Sequence, residues 1–337
     1  MISDEDLFNQ ILRGRELLER ELEKTIVGQK EVIEQLLICL LSGTHCLITG
    51  APGLAKTLLV RSVAQAFHLQ FSRIQFTPDL MPADITGTEI LNDVGGQREL
   101  RFVPGPVFAN VILADEINRT PPKTQSALLE AMQEHQVTAA GKRYALPKPF
   151  FVLATQNPIE MEGTYPLPEA QLDRFMFNVL IDYLPFEDEL KVVLETTSKS
   201  PEPISALFTG EDILNFQGLV RRMPIANDVA AYAVRLVGAT RPNQHHDQAP
   251  LHSQQKSAAW VNDSITWGAG LRAAQMLVLG AKARALLNGK SHVSYDDIRS
   301  LAPPVLRHRL LLSYRAEAEG FTIEKCIQRL LDEYPGK

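Results

Sequence analysis

The sequence predicts an α/β core on a largely parallel sheet, followed by a smaller all-α domain. Three observations carry that expectation. Continuous apolar runs of strand length alternate with helical patterns up to about residue 185. A Gly/Pro loop joins the first such run to a helix. Beyond 185 the strand signals stop while helical spacing persists. At 337 residues the chain is long enough for two domains.

Taken in order, residues 5–24 carry Leu7, Ile11, Leu12, Leu18 and Leu22 at helical spacing among dense charges, the mark of an amphipathic helix. Ile26-Val27-Gly28-Gln29 breaks that pattern before a second helix, about 30–42. Cys46-Leu47-Ile48-Thr49 reads as a short buried strand, and Leu58 to Phe67 as a helix. Val111-Ile112-Leu113-Ala114, Phe150 to Thr155 and Phe177 to Ile181 are further buried strands, with a helical pattern over 122–134. Two segments interrupt the alternation. Residues 77–105 are rich in Gly and Pro, and residues 136–149 read as a hairpin turning at Gly141. Both exceed what a tight connection requires. After 185, helical stretches lie near 187–197, 211–222, 226–240, 264–287 and 322–333. Residues 241–258 are polar and unpatterned, an exposed loop whose His245, His246 and His252 lack converging acids or cysteines and read as solvated rather than metal-binding. The expected division is an N-terminal helix (1–25), a nucleotide-binding core (26–185) and a helical domain (186–337).

Composition narrows the function classes. With 45% apolar and 22% charged residues the chain has an ordinary globular balance. A net charge of −6 without a basic stripe disfavours nucleic acid as a partner. Cys39, Cys46 and Cys326 are too few and too scattered for a disulfide framework or zinc cage, and read as small buried hydrophobes in a reducing compartment. The acidic N-terminus has no signal-peptide pattern, and the longest apolar run, Leu36 to Leu41, is far short of the ~20 residues needed to span a bilayer. The expectation is no membrane span and a cytoplasmic location.

Gly50-Ala51-Pro52-Gly53-Leu54-Ala55-Lys56-Thr57 lies between a predicted strand and a predicted helix, the context a phosphate-binding loop requires. The glycines let backbone N–H groups face phosphates, and the helix N-terminus adds partial positive charge. Lys56 is placed to reach the β/γ-phosphates and Thr57 to bind Mg²⁺. The usual pattern has Gly where Ala55 stands. A residue opening a helix is expected at φ < 0, which alanine satisfies. Asp115 and Glu116 end the strand that begins at Val111, and ligands of open α/β sheets bind at the carboxyl ends of strands. Asp115 is the candidate Mg²⁺ ligand, direct or through a water, and Glu116 the candidate general base for an attacking water. Two acids capping the next helix is the alternative. Asn157, at another strand exit, either contacts the γ-phosphate and water or is a turn residue before Pro158. Arg174 either pairs with Asp173 or projects into a neighbour's nucleotide site.

The order of these features resembles the AAA+ superfamily. More specifically, Phe102 to Asn110, Ala114 to Gln125 and Gly163 to Phe175 resemble the MoxR family, densely over 26–185 and thinly beyond. The resemblance implies an AAA+ P-loop NTPase core with an AAA lid. It makes Gly50 to Thr57 with Leu58 the Walker A segment and Asp115 and Glu116 the Walker B pair. Asn157 becomes sensor 1, Arg174 the arginine finger, and Val27 and Gly28 further nucleotide contacts. Ala55 is common in that family. Residues 77–103 resemble its helix-2 insert and 136–149 its pre-sensor-1 hairpin. Trp267 to Ala273 resembles its sensor 2: Arg272 matches, while Gly270 and Leu271 replace the usual Ser and Pro. The same resemblance implies Mg-dependent ATP hydrolysis by a homo-oligomeric, hexameric ring that remodels or activates a partner complex, often with a von Willebrand factor A domain protein. A metal-chelatase motor subunit and a nucleotide-gated scaffold with little turnover are the alternatives.

Overall fold

Two helices precede the first strand, and both bury apolar residues in a cluster that it shares. In the computed structural model, which describes residues 3–94, 97–139, 141–158, 163–198, 202–242 and 258–336, α1 (Asp4–Glu23) is capped by Ser3, whose hydroxyl accepts from the Asp6 amide. Asp4, Glu5 and Asp6 sit at the positive end of its dipole, and Leu7, Ile11, Leu18 and Leu22 are buried. α2 (Lys30–Ser42) is buried over most of its length and stops at Gly43, which takes φ 66°.

The next segment alternates as expected: β1 (Cys46–Gly50), α3 (Lys56–Ala66), β2 (Phe71–Gln75), α4 (Pro82–Thr86), β3 (Gly87–Val94), β4 (Gln97–Pro104), β5 (Val111–Asp115), α5 (Pro122–Glu134), β6 (Gln136–Ala139), β7 (Lys142–Ala145), β8 (Phe151–Gln156), α6 (Glu169–Leu172) and β9 (Phe177–Ile181). Five strands form one sheet in the order β2-β5-β8-β1-β9, and every adjacent pair is parallel. Alternate residues of each strand enter apolar clusters on opposite faces. Ile48, Val111, Leu113, Phe151 and Leu153 face one way, and Leu47, Ile112, Ala114, Val152 and Ala154 the other, so these strands read as unbroken apolar runs. The two interrupting segments are hairpins, β3–β4 and β6–β7, the second turning around Gly141 at φ 78°.

Beyond the sheet come α7 (Phe186–Ser198), α8 (Gly210–Arg222), α9 (Asn227–Ala239), α10 (Ala259–Ser264), β10 (Ile265–Trp267), α11 (Leu271–Leu287), α12 (Tyr295–Leu306), β11 (Leu311–Leu312), α13 (Tyr314–Ala318) and α14 (Ile323–Glu333). This is the helical lid region. Its apolar residues join those of α1, α2 and one sheet face in a single cluster. No helix among the described residues is long and apolar enough to cross a membrane.

Four expectations are corrected or completed. β2 has no counterpart in the sequence reading, because only Ile74 of its five residues is buried and an edge strand lacks a continuous apolar run. Strands do not stop at 185: β10 pairs antiparallel with β11, and the helix expected over 264–287 begins at Leu271, since Ile265-Thr266-Trp267 favour extended backbone and Gly268 and Gly270 follow. α12 carries Pro303 and Pro304 inside a helix, a pair that reads as a breaker but whose neighbours Leu301, Ala302, Val305 and Leu306 are buried. The interior of the 241–258 loop, with His245, His246 and His252, lies outside the described residues.

His45 sits at the base of the sheet with its ring wholly enclosed. Nδ1 accepts from the Val152 amide at 3.1 Å and Nε2 donates to the Met132 carbonyl at 3.2 Å, which fixes a neutral tautomer. Burial lowers its pKa to about 4. An unfolded chain therefore binds a proton near the ordinary 6.5 that the folded chain refuses. The associated stability is complete above about pH 6.5 and falls as pH drops towards 4, by roughly 3 kcal/mol for a shift of that size. Denaturant unfolding across that range should show a steeper acid loss for the wild type than for His45→Gln. Parallel curves would remove His45 as the cause.

Candidate functional site

Because the sheet is parallel, the carboxyl ends of β1, β8 and β5 lie side by side along one edge. β1 delivers residues 51–55 and the N-terminus of α3. β5 delivers Asp115 and Glu116. β8, between them, delivers Asn157, which is buried.

The loop from Gly50 to Thr57 has two distinct glycine requirements. A Cβ on Gly50 would lie 2.5 Å from the Ile181 carbonyl oxygen, so this glycine permits the close approach of β9. Gly53 takes φ 83° with open space around it, so there the requirement is backbone conformation. Ala55 departs from expectation. It precedes the helix at φ 53°, ψ 23°, in the left-handed region, rather than at negative φ. The usual glycine at this place suits that conformation, and alanine bears its cost of about 1–2 kcal/mol. Lys56 folds back to donate to the Gly50 carbonyl at 2.7 Å. Burial pulls its pKa below the ordinary value, while the charges of Asp115 and Glu116 oppose that shift. Lys56 and the acid pair thus lie at the same edge of the sheet, near enough for the two carboxylates' charges to act on the lysine. Thr57, half-buried, follows in the first turn of α3.

The acid pair is held by residues the sequence reading did not single out. Thr155 Oγ1 donates to Asp115 Oδ1 at 2.6 Å and accepts from the Glu116 amide at 2.8 Å. Arg73 donates through Nε and Nη2 to Asp115 Oδ2 at 3.1 and 2.6 Å. Gln75 donates to Glu116 Oε2 at 2.9 Å, and Arg119 pairs with the same oxygen at 2.9 Å. Glu116 itself is left-handed, φ 57°, a conformation that stores strain where a side chain must be aimed. Arg73 and Gln75 lie on β2, opposite β5 in the register Gln75↔Asp115. Only sheet pairing, absent from the sequence, brings them here.

Beside the loop is a cavity of about 600 Å³, lined by Ile26, Val27, Leu54, Ala55, Leu58 and Val193 among others. A Cβ on Gly28, at φ 68°, would lie 2.9 Å from Leu184 Cδ2. Val27 and Leu58 therefore belong to a mostly apolar pocket next to the phosphate loop, with Gly28 packed behind its Leu184 wall, a setting suited to a flat base. The residues present fit a magnesium nucleotide. The Thr57 hydroxyl and Asp115 carboxylate are the oxygen donors Mg²⁺ prefers, and Asp115 Oδ1 has a lone pair beyond the bond from Thr155. Lys56 and the α3 amides suit phosphate.

Arg174 and Arg272 lie apart from that crevice. Arg174 Nη1 donates to the Leu129 carbonyl at 2.7 Å and borders a groove of about 480 Å³ that includes Glu130, Glu134 and Arg143. Arg272, at the start of α11 and 43% exposed, approaches Asp173 Oδ2 at 3.4 Å.

Comparison with known proteins matches residues 45–177 to the ATPase family associated with various cellular activities (AAA) and residues 257–330 to the AAA lid domain. The chain is 43% identical to Chaperone MoxR1 of Mycobacterium tuberculosis over 92% of this chain and 79% of that protein. It is 32% identical to Protein MoxR of Paracoccus denitrificans over 88% of each. A solved putative ATPase from Cytophaga hutchinsonii superposes with a TM-score of 0.85 at 42% identity, covering 98% of this chain and 95% of that one.

The left-handed Ala55 gives a direct test of loop geometry. Ala55→Gly should raise stability by about 0.5–1 kcal/mol, the relieved strain exceeding the extra freedom glycine gives the unfolded chain. A lower thermal midpoint for the variant would contradict that conformation.

Proposed function

Because the chain belongs to the MoxR family of AAA+ ATPases, we propose that it binds ATP with Mg²⁺ between a core (26–185) and a lid (186–337) and hydrolyses it within a homo-oligomeric, six-membered ring. The observation that carries this reading is the parallel pairing of β1 and β5 with β8 between them, which sets Lys56's loop and the Asp115–Glu116 pair at one sheet edge. Lys56 and the backbone of Gly50 to Thr57 bind the phosphates. Thr57 and Asp115 hold Mg²⁺, which supplies charge neutralisation at the β- and γ-phosphates. Glu116 orients the attacking water and accepts its proton, and Asn157, which follows the neighbouring β8, helps place that water. Val27, Gly28 and Leu58 border the base. Arg272, now beside Asp173, reaches the phosphates when the lid moves against the core, and Arg174, which borders a separate groove with Glu130, Glu134 and Arg143, completes the site of an adjacent subunit. In isolation a subunit then leaves transition-state charge only partly compensated.

The work done is remodelling or activation of a partner protein complex. It rests on the similar M. tuberculosis protein, which is named a chaperone, and includes a von Willebrand factor A domain protein as the expected partner and the cytoplasm as the place.

Two measurements test the reading. Glu116→Gln should retain nucleotide binding and lower steady-state hydrolysis by about 10²–10⁴-fold. Unchanged hydrolysis would leave a nucleotide-gated scaffold instead. Specific ATPase activity should rise with protein concentration as rings assemble, and Arg174→Ala should lose about 10³–10⁵-fold of that activity. Concentration-independent rates unaffected by the substitution would end the ring mechanism.

A further inference from the structure

The loop between α12 and β11 presents three basic side chains, Arg307, His308 and Arg309, to one short segment of the core. Arg309 Nε donates to Asp173 Oδ1 at 2.6 Å. Its Nη2 donates to the Asp173 and Phe175 carbonyls at 3.0 and 2.6 Å, and its Nη1 to the Met176 carbonyl at 3.1 Å. His308 Nε2 donates to the same Phe175 carbonyl at 3.1 Å, and Arg307 Nη1 donates to the Asn178 carbonyl. The Arg309 side chain is only 2% exposed. A guanidinium is seldom buried so far without a specific set of acceptors. Here one acceptor is the Val305 carbonyl of the preceding α12, and the others are the groups on either side of Arg174.

α6, which precedes this segment, has only four residues. Its Glu169, Gln171 and Leu172 carbonyls accept from the Asp173, Arg174 and Phe175 amides, and so short a helix cannot by itself hold the chain beyond it rigid. The carbonyls that follow, of Asp173, Phe175 and Met176, accept from Arg309 of the lid. Asp173 is also shared: its Oδ1 meets Arg309 and its Oδ2 the exposed Arg272 of the lid at 3.4 Å. The lid therefore grips the chain on both sides of Arg174.

We infer that Arg309 is a positioning residue for Arg174, fixing through Asp173 and the carbonyls of 173–176 the arginine that a subunit presents to its neighbour. This rests on the reading of Arg174 as acting in trans. Lid and arginine then move as one body, so the nucleotide state sensed by a subunit's own lid sets the catalytic competence of the next site around the ring. A fork of N–H groups in one plane is needed, because the acceptors lie on four residues, Asp173, Phe175, Met176 and Val305. Lysine keeps the charge opposite Asp173 but cannot reproduce the fork.

Mixed rings test this. Arg309→Lys, with its melting curve confirming the fold, should bind a fluorescent ATP analogue within about twofold of wild type. Its kcat on self-assembly should fall about tenfold or more, a part of the roughly 10³–10⁵ a trans arginine supplies. Mixed with excess Glu116→Gln subunits, whose arginines are intact but which lack the base, the Arg309→Lys sites should recover towards wild-type turnover per competent site. Arg174→Ala is carried through the same mixture. If Arg174→Ala is rescued and Arg309→Lys is not, Arg309 acts within its own site or fold, and the inference is overturned while the trans arginine stands. If Arg174→Ala is not rescued, the trans reading itself falls. Arg309→Met provides the larger change. Wild-type kcat in the Lys variant and in a folded Met variant overturns the inference, and if the Met variant does not fold the Lys variant decides.

Discussion

Everything at the site depends on one constraint: β8 lies between β1 and β5 in a sheet whose strands all run the same way. Parallel strands place their carboxyl ends on one edge, so three loops far apart in sequence must open into the same crevice. The phosphate loop after β1, the acid pair after β5 and Asn157 after β8 are neighbours for that reason alone. Both sheet faces are covered by apolar clusters, which leaves the strand ends as the place where polar groups concentrate.

The electrostatics of that edge are balanced before any ligand arrives. Asp115 and Glu116 are adjacent carboxylates, and each has a cationic partner, Arg73 and Arg119 respectively. Thr155 bonds to both residues, which fixes their relative orientation through one hydroxyl. Arg73 is 48% exposed, so its pairing with Asp115 is solvent-screened and readily rearranged. Rigid backbone with adjustable charge partners is the arrangement expected where a metal and phosphates must enter.

The lid is bound to the rest by two unlike means. Apolar packing joins α1, α2, one sheet face and the lid helices in a single cluster, reinforced where Arg15 of α1 donates to the Leu287 carbonyl and Asn288 side chain at the end of α11. Polar contacts concentrate instead on residues 173–178, where Arg309 is buried. Apolar surfaces tolerate small sliding, whereas a guanidinium saturated by directional bonds does not.

Much of the fold was legible because buried parallel strands are apolar without interruption and the phosphate loop carries its own spacing. Periodicity and motif alone pointed to the helices expected over 5–24 and about 30–42, to β1, β5, β8 and β9, and to the loop and acid segments that follow β1 and β5. β2 was not legible, because an edge strand with one buried residue has no apolar run. α12 was not, because its proline pair carries a breaker signal that packing overrides. The sign of φ at Ala55 was set by how the loop must turn from β1 into α3, and alanine's own preference pointed the other way. Arg73, Gln75 and Thr155 reach the acids through strand pairing, and Arg309 reaches Asp173 across 136 positions of chain. Local chemistry fixes which residues can bind phosphate and metal. Which side chains hold them in place depends on long-range pairing, and no local pattern encodes that.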